Sequence, residues 1–189
     1  MLQMSNGEPE AGLPVWRLNQ ILLILQVRLE SIMYDKNRES KIPISWSVLH
    51  MHTTTQLAKL LAIKRGFDVE LAAMIAAFHD VYSYHTGKWE NHGKLAKPYI
   101  HEIVNEYNEV WGDQLGIITE EEVKHIVKAI KDHSNKEKVV KDRYTELLKD
   151  VDCFDSYLHG FEPTGFHLER VSRVFEELGF SQEESSFVL

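Results

Sequence analysis

An all-α fold, a bundle of several helices, is what this sequence predicts. Three observations predict it. Apolar residues recur with 3.6-residue periodicity over long segments, strand-like alternation is scarce, and turn signals fall between the periodic segments. The 189 residues suit one domain and can bury a substantial core without disulfides or metal staples. The expectation is a single helical domain over 1–189. Its core spans about 45–160, with an N-terminal helix at about 16–34 and a C-terminal helix at about 166–178 packed on it.

The elements follow in order. A first helix is expected over 16–34, and a polar stretch, 35–41, with Pro43 separates it from a second near 46–64. Gly66 suits the C-terminal stop of that helix, and Asp68 can cap the next. The third, 69–78, is almost entirely apolar, as a helix surrounded by others should be. A loop rich in Gly, Lys, His and Asn is expected over 83–94. Pro98 then sits in the first turn of a helix reaching Trp111. Two more helices are expected over 119–133 and 144–159, and a last one near 168–178, ending at Gly179. There is no internal repeat and no low-complexity tract.

Composition excludes several classes of function. The 43% apolar and 26% charged shares are those of an ordinary globular protein. With 21 basic and 29 acidic residues, a net charge of −8 argues against a nucleic-acid polymer as partner. A small anionic substrate remains open, since a cation inside a pocket outweighs the average surface. Cys153 is the only cysteine, which excludes an internal disulfide framework and a CxxC zinc module. Flanked by Asp152 and Phe154 in an apolar helical stretch, it reads as a packed, inert thiol. The first twelve residues lack the basic and apolar regions of a signal peptide, and the apolar run 21–25 is too short to span a bilayer. A cytoplasmic protein without membrane attachment is the expectation, its oligomeric state open with a homodimer among the options.

Ten histidines carry information only through their faces. His50 shares a helical face with Leu57 and Leu61, whereas His52 lines up with Gln56 and Lys59; His50 therefore points inward. A lone inward His is more often a hydrogen-bonded core residue than a ligand. His79 and Asp80 change that balance, because they end the most apolar helix, where neither group is buried without a partner. Imidazole and carboxylate are ordinary ligands for Zn, Mn, Fe, Co or Ni. His133 continues the inward face of Val123, Ile126, Val127 and Ile130. His125 and His101 face outward, and His92 lies in the loop after His79 and Asp80. On the helix near residue 152, periodicity puts Asp155 nearer the centre of the apolar face and Asp152 at its edge, without choosing between them.

These residues resemble the HD-domain phosphohydrolase superfamily. The match begins with His50, then Ala58, Leu61 and Ala62, Gly66 and Asp68, and Ala72-Ala73. It closes on Phe78-His79-Asp80, with a later segment from Leu148 to Asp155 in which Val151 stands where relatives carry alanine. The resemblance covers roughly 45–160. It implies a compact HD-domain bundle around a metal site, with His50, His79, Asp80 and Asp152 as ligands. It thereby selects Asp152, leaving Asp155 to hold a neighbouring helix by hydrogen bonds. The metal would be a divalent ion, Mn, Co, Ni, Zn, Fe or Mg. Many relatives carry a lysine after the HD pair; here Val81, Tyr82 and Ser83 follow, and Lys88 is the nearest candidate replacement.

The function expected is metal-dependent hydrolysis of a phosphate ester, in a nucleotide or small phosphorylated metabolite. Asp80 would accept the proton of the attacking water, and Lys88, His92 and His133 would bind the anionic substrate. Two rivals are open. A dinuclear enzyme, including di-iron oxygenase chemistry, needs two more inward imidazoles. A non-catalytic metal- or ligand-binding regulatory domain needs a closed coordination sphere. Trp16, Trp46, Trp89 and Trp111 could serve core or interface, and Trp89 lies beside the site.

Overall fold

A computed structural model describes residues 16–33 and 42–180. The expected polar stretch 35–41 and the first residues, 1–12, lie outside them, as does the Trp16 side chain. Nine helices and no strand occur among the described residues. They are α1 (Trp16–Ser31), α2 (Ile44–Arg65), α3 (Val69–Phe78), α4 (Val81–Thr86), α5 (His92–Leu95), α6 (Lys97–Leu115), α7 (Glu120–Lys131), α8 (Arg143–Leu158) and α9 (Phe166–Leu178). The all-α expectation holds. The expected loop over 83–94 does not: α4 and α5 occupy most of it, and only 87–91 is irregular. These helices are four to six residues long, too short to show a period in the sequence.

Boundary chemistry places the ends. Gly66 is left-handed at φ 65° and ends α2, with the Phe67 N–H returning to Ala62 O at 2.9 Å. Asp68 caps α3 by accepting from Leu71 N at 2.8 Å. Thr119 and Glu122 form a reciprocal capping box at the start of α7.

The core is built around α3, in which every residue from Ala72 to Phe78 is buried. Such a helix can only be surrounded: α2, α8, α7 and α1 all pack against it. α1 turns Leu18, Ile21, Leu25 and Leu29 inward and also lies on α6. No described helix is long and apolar enough to cross a membrane. Cys153 is buried, and burial pushes its thiol up to about 11, so it stays protonated and inert.

A buried ionic cluster joins α2, α8 and α9. Asp150 receives Arg170 Nη1 at 2.7 Å and Arg65 Nη2 at 2.8 Å. Arg170 also reaches Glu146 at 3.0 Å, and Arg65 reaches Glu177 at 2.8 Å. Deleting the central carboxylate strands guanidinium charge in a buried environment, which is far more costly than never having built the cluster. Asp150→Ala is expected to lower unfolding free energy by about 3 kcal/mol, read as a fall in the urea midpoint at unchanged slope.

Candidate metal centre

His50 is set on the inner face of α2 and is buried. Trp46, one turn earlier, stacks on it at 5.9 Å. α3 ends at Phe78; His79 continues in helical geometry, and Asp80 breaks away at φ −108°, ψ 13° before α4 begins. Asp80 therefore occupies an N-cap position, where a carboxylate normally accepts a backbone N–H. It makes no such bond and points into the bundle instead.

Four imidazoles meet this carboxylate in two pairs. His79 Nε2 and His50 Nε2 lie 3.4 and 3.9 Å from Asp80 Oδ2. His92 Nε2 and His133 Nε2 lie 2.9 and 3.4 Å from Asp80 Oδ1. Within each pair the Nε2 atoms are 3.1 Å apart. Asp152 Oδ1 lies 3.4 Å from His50 Nε2.

The second nitrogen of each ring fixes the tautomer. Nδ1 of His79, His92 and His133 faces the carbonyls of Ala76, Trp89 and Ile130 at 2.6, 2.6 and 2.7 Å. Carbonyls only accept, so each Nδ1 carries the hydrogen. His50 Nδ1 donates likewise to the buried Asp155 carboxylate at 2.5 Å. In the neutral rings every Nε2 is then a lone pair directed at other lone pairs. Asp80 Oδ1 is buried without a hydrogen-bond donor, although Ser134 Oγ can donate to His92 Nε2 at 3.1 Å.

Such an arrangement needs positive charge at its centre. Burial opposes a charged His50, yet bonds to Asp152 and Asp155 push its pKa up to about 10. Burial opposes ionisation of Asp80, but the charge of His79 and the close approach of His133 and His92 hold it well below the carboxylate range. Burial also opposes an ionised Asp152, which the Lys136 charge and the His50 bond keep well below that range. His133, by contrast, is pushed down to about 4 by burial, with Asp80 opposing. A field that retains a proton at His50 also favours a divalent cation, which displaces that proton.

The donor set fits a metal. Imidazole nitrogens about 2.1 Å from a shared ion stand roughly 3.0 to 3.4 Å apart at right-angled to tetrahedral geometry, and both pairs are at 3.1 Å. Three groupings keep their ligand atoms within 4.8 Å: His50, His79 and Asp80; His79, His133 and Asp152; Asp80, His92 and His133.

The four residues expected as ligands thus converge. His92 and His133, expected as substrate contacts, face Asp80 just as the first pair does and suit a second cation. Lys88 does not join them: it is exposed and does not line the cavity over the cluster. Asp155 reaches the site through His50 Nδ1, a bond that anchors α2 to α8. That cavity, about 410 Å³, has Trp46, Trp89 and Phe161 on its walls, with Lys136 and His167 beside them.

Three contributions went unread in the sequence. Lys136, three residues beyond His133, pairs with Asp152. Gly93 lets α5 sit against α7, since a Cβ there would stand 2.5 Å from Ile130 O. Phe161 comes from the segment after α8 and His167 from the first turn of α9. Only the nearness of Lys136 to an inward histidine was a usable signal.

The family model described as HD domain matches residues 48–157, more than half of the chain. Among curated proteins, none matches. A crystal structure of a predicted HD superfamily hydrolase from an uncultured Thermotogales bacterium is similar, with a TM-score of 0.52 and 19% identity. The alignment covers 86% of this chain and 89% of that one, a likeness of fold.

The Asp155–His50 bond holds a prospective ligand in the right tautomer. Asp155→Asn is expected to weaken metal binding about tenfold or more, measured by competition with a chromophoric chelator, while the fold persists by circular dichroism.

Proposed function

The chain belongs to the HD domain family, and from that premise we propose that it is a metal-dependent hydrolase of a phosphate ester, in a nucleotide or similar small phosphorylated metabolite. One observation carries this reading. The Nε2 atoms of four buried imidazoles converge on one carboxylate at ligand spacing, under a cavity open to the surface.

His50, His79, Asp80 and Asp152 would hold a divalent ion, Mn, Co, Ni, Zn, Fe or Mg. Such an ion supplies Lewis acidity toward water and a phosphoryl oxygen. The protein supplies the rest. Asp155 and the three carbonyls orient the rings, so little reorganisation is needed when charge develops. Asp80 has one oxygen toward each histidine pair and is the group placed to accept the proton of the attacking water. The aromatic walls offer flat surfaces for an apolar substrate group.

A second reading is favoured by the duplication of the histidine pair. His92 and His133 with Asp80 Oδ1 repeat the geometry of His50 and His79 with Oδ2. His92, His133 and Asp80 would hold a second ion, and two ions would supply either two-metal hydrolysis or oxidative di-iron chemistry. The two readings share His50, His79, Asp80 and Asp152 and differ in the number of ions.

Metal analysis of the protein loaded separately with Mn, Co, Ni and Zn separates them. One ion per chain supports the mononuclear hydrolase and two support the dinuclear reading; His79→Ala is expected to abolish binding of the first ion. Asp80→Ala is expected to lose hydrolysis of p-nitrophenyl phosphate, bis(p-nitrophenyl) phosphate and a nucleotide panel. Retained turnover in that variant overturns the assignment of Asp80. Metal at about a hundred times its Kd is expected to add about 2.7 kcal/mol of stability, seen as a rise in Tm that a chelator reverses.

A further inference from the structure

We infer that Lys136 is the anion-binding cation of this cavity, the residue that receives the phosphoryl oxygens of the substrate. The inference rests on the metal-hydrolase reading and adds to it the residue that binds the anionic group.

Among the described residues lining the cavity, Lys136 is the one Lys or Arg. Its side chain is 9% exposed. An ammonium has three donors, and among the described residues its one hydrogen-bond partner is Asp152 Oδ2. Burying an ammonium with donors unfilled is costly, and the space in front of it is the cavity itself. Those donors need acceptors from whatever occupies that space. A phosphoryl group above the cluster supplies them, because Asp152 Oδ1 faces His50 while Oδ2 holds Lys136. The lysine thus stands beside the site on the cavity side, within reach of an oxygen that approaches the cluster.

The segment carrying it is fixed on several sides. Arg170 Nε of α9 donates to Lys136 O at 2.9 Å. Lys149 Nζ of α8 donates to Lys138 O at 2.5 Å, and Val140 N to Glu146 Oε1 at 3.0 Å. Arg170 is itself buried and held by Asp150 and Glu146. A lysine whose own carbonyl is held by α9, on a segment that α8 holds further along, arrives preorganised, which limits the entropy lost when it meets an anion. A lysine that only neutralised Asp152 would need neither this anchoring nor an exit onto the cavity. Ser134, on the same segment and the same wall, adds a neutral donor.

The test uses the full chain loaded with Mn, and inorganic phosphate as the probe. Metal content and phosphate affinity by calorimetry are compared for wild type, Lys136→Met and Lys136→Arg. The Met variant is expected to keep its Mn content while phosphate binding weakens at least about tenfold, the loss of one charge-assisted hydrogen bond; the Arg variant is expected to recover most of the affinity. Unchanged phosphate affinity in the Mn-loaded Met variant overturns the inference. Loss of Mn in the Met variant also overturns it, making Lys136 a support for Asp152. Should the Met variant misfold, Lys136→Gln carries the same comparison. A wild type that takes up no metal fails the hydrolase reading instead, and Lys136-dependent phosphate binding to that protein then keeps the anion site without the hydrolase.

Discussion

Buried imidazole nitrogens cannot face one another across 3.1 Å unless something positive lies among them, and much of this molecule answers that constraint. The three carbonyls and Asp155 that fix the ring hydrogens come from the ends of α3 and α7, the turn before α5, and α8. Asp80 reaches the cluster because α3 stops at the corner that precedes it. The Trp46 stack and the Gly93 contact bring two further elements against the rings. A cation satisfies all of these groups at once, whereas proton sharing can satisfy only some of them. The cluster is therefore one of two buried polar centres in the bundle, the other being the one around Asp150, and its nitrogen and oxygen atoms face one another as the ligands of a cation do.

What could be read from the chain depended on the length of the element carrying it. α3 declares itself because nine of its ten residues are apolar, which leaves almost no polar face. His50 and His133 declare their direction because α2 and α7 run long enough to show a period. The helix near residue 152 is the instructive case. Periodicity placed Asp155 at the centre of the buried face and Asp152 at its edge, and the structure finds them so, with side chains 1% and 18% exposed. Burial rank does not reveal role, however. The deeper carboxylate steadies a ring and the shallower one borders the cavity.

His92 was harder to read, for a related reason. It sits on a four-residue helix whose direction is set by the close approach of Gly93 to Ile130 O, a tertiary contact with no local sequence pattern. Lys88 looked suitable by nearness in the chain alone, but the turn at 87–91 leaves it in solvent. Lys136 lies in the irregular run between α7 and α8, where no period exists to aim a side chain. Its direction comes from Arg170, 34 residues away. α9 thus lies outside the family match at 48–157 yet positions a cavity wall, through the same ionic cluster that binds it to α8.

The two tryptophans bordering the cavity give the site an optical readout. Trp46 lies 5.9 Å from the ring of His50 and Trp89 lies 5.7 Å from the ring of His92, so each histidine pair has its own indole. Trp111 is remote from both, on α6 against Tyr107. A paramagnetic ion entering either pair would quench the nearer indole most strongly. Intrinsic emission, resolved by replacing one indole at a time, would therefore report the order in which the two halves of the cluster fill.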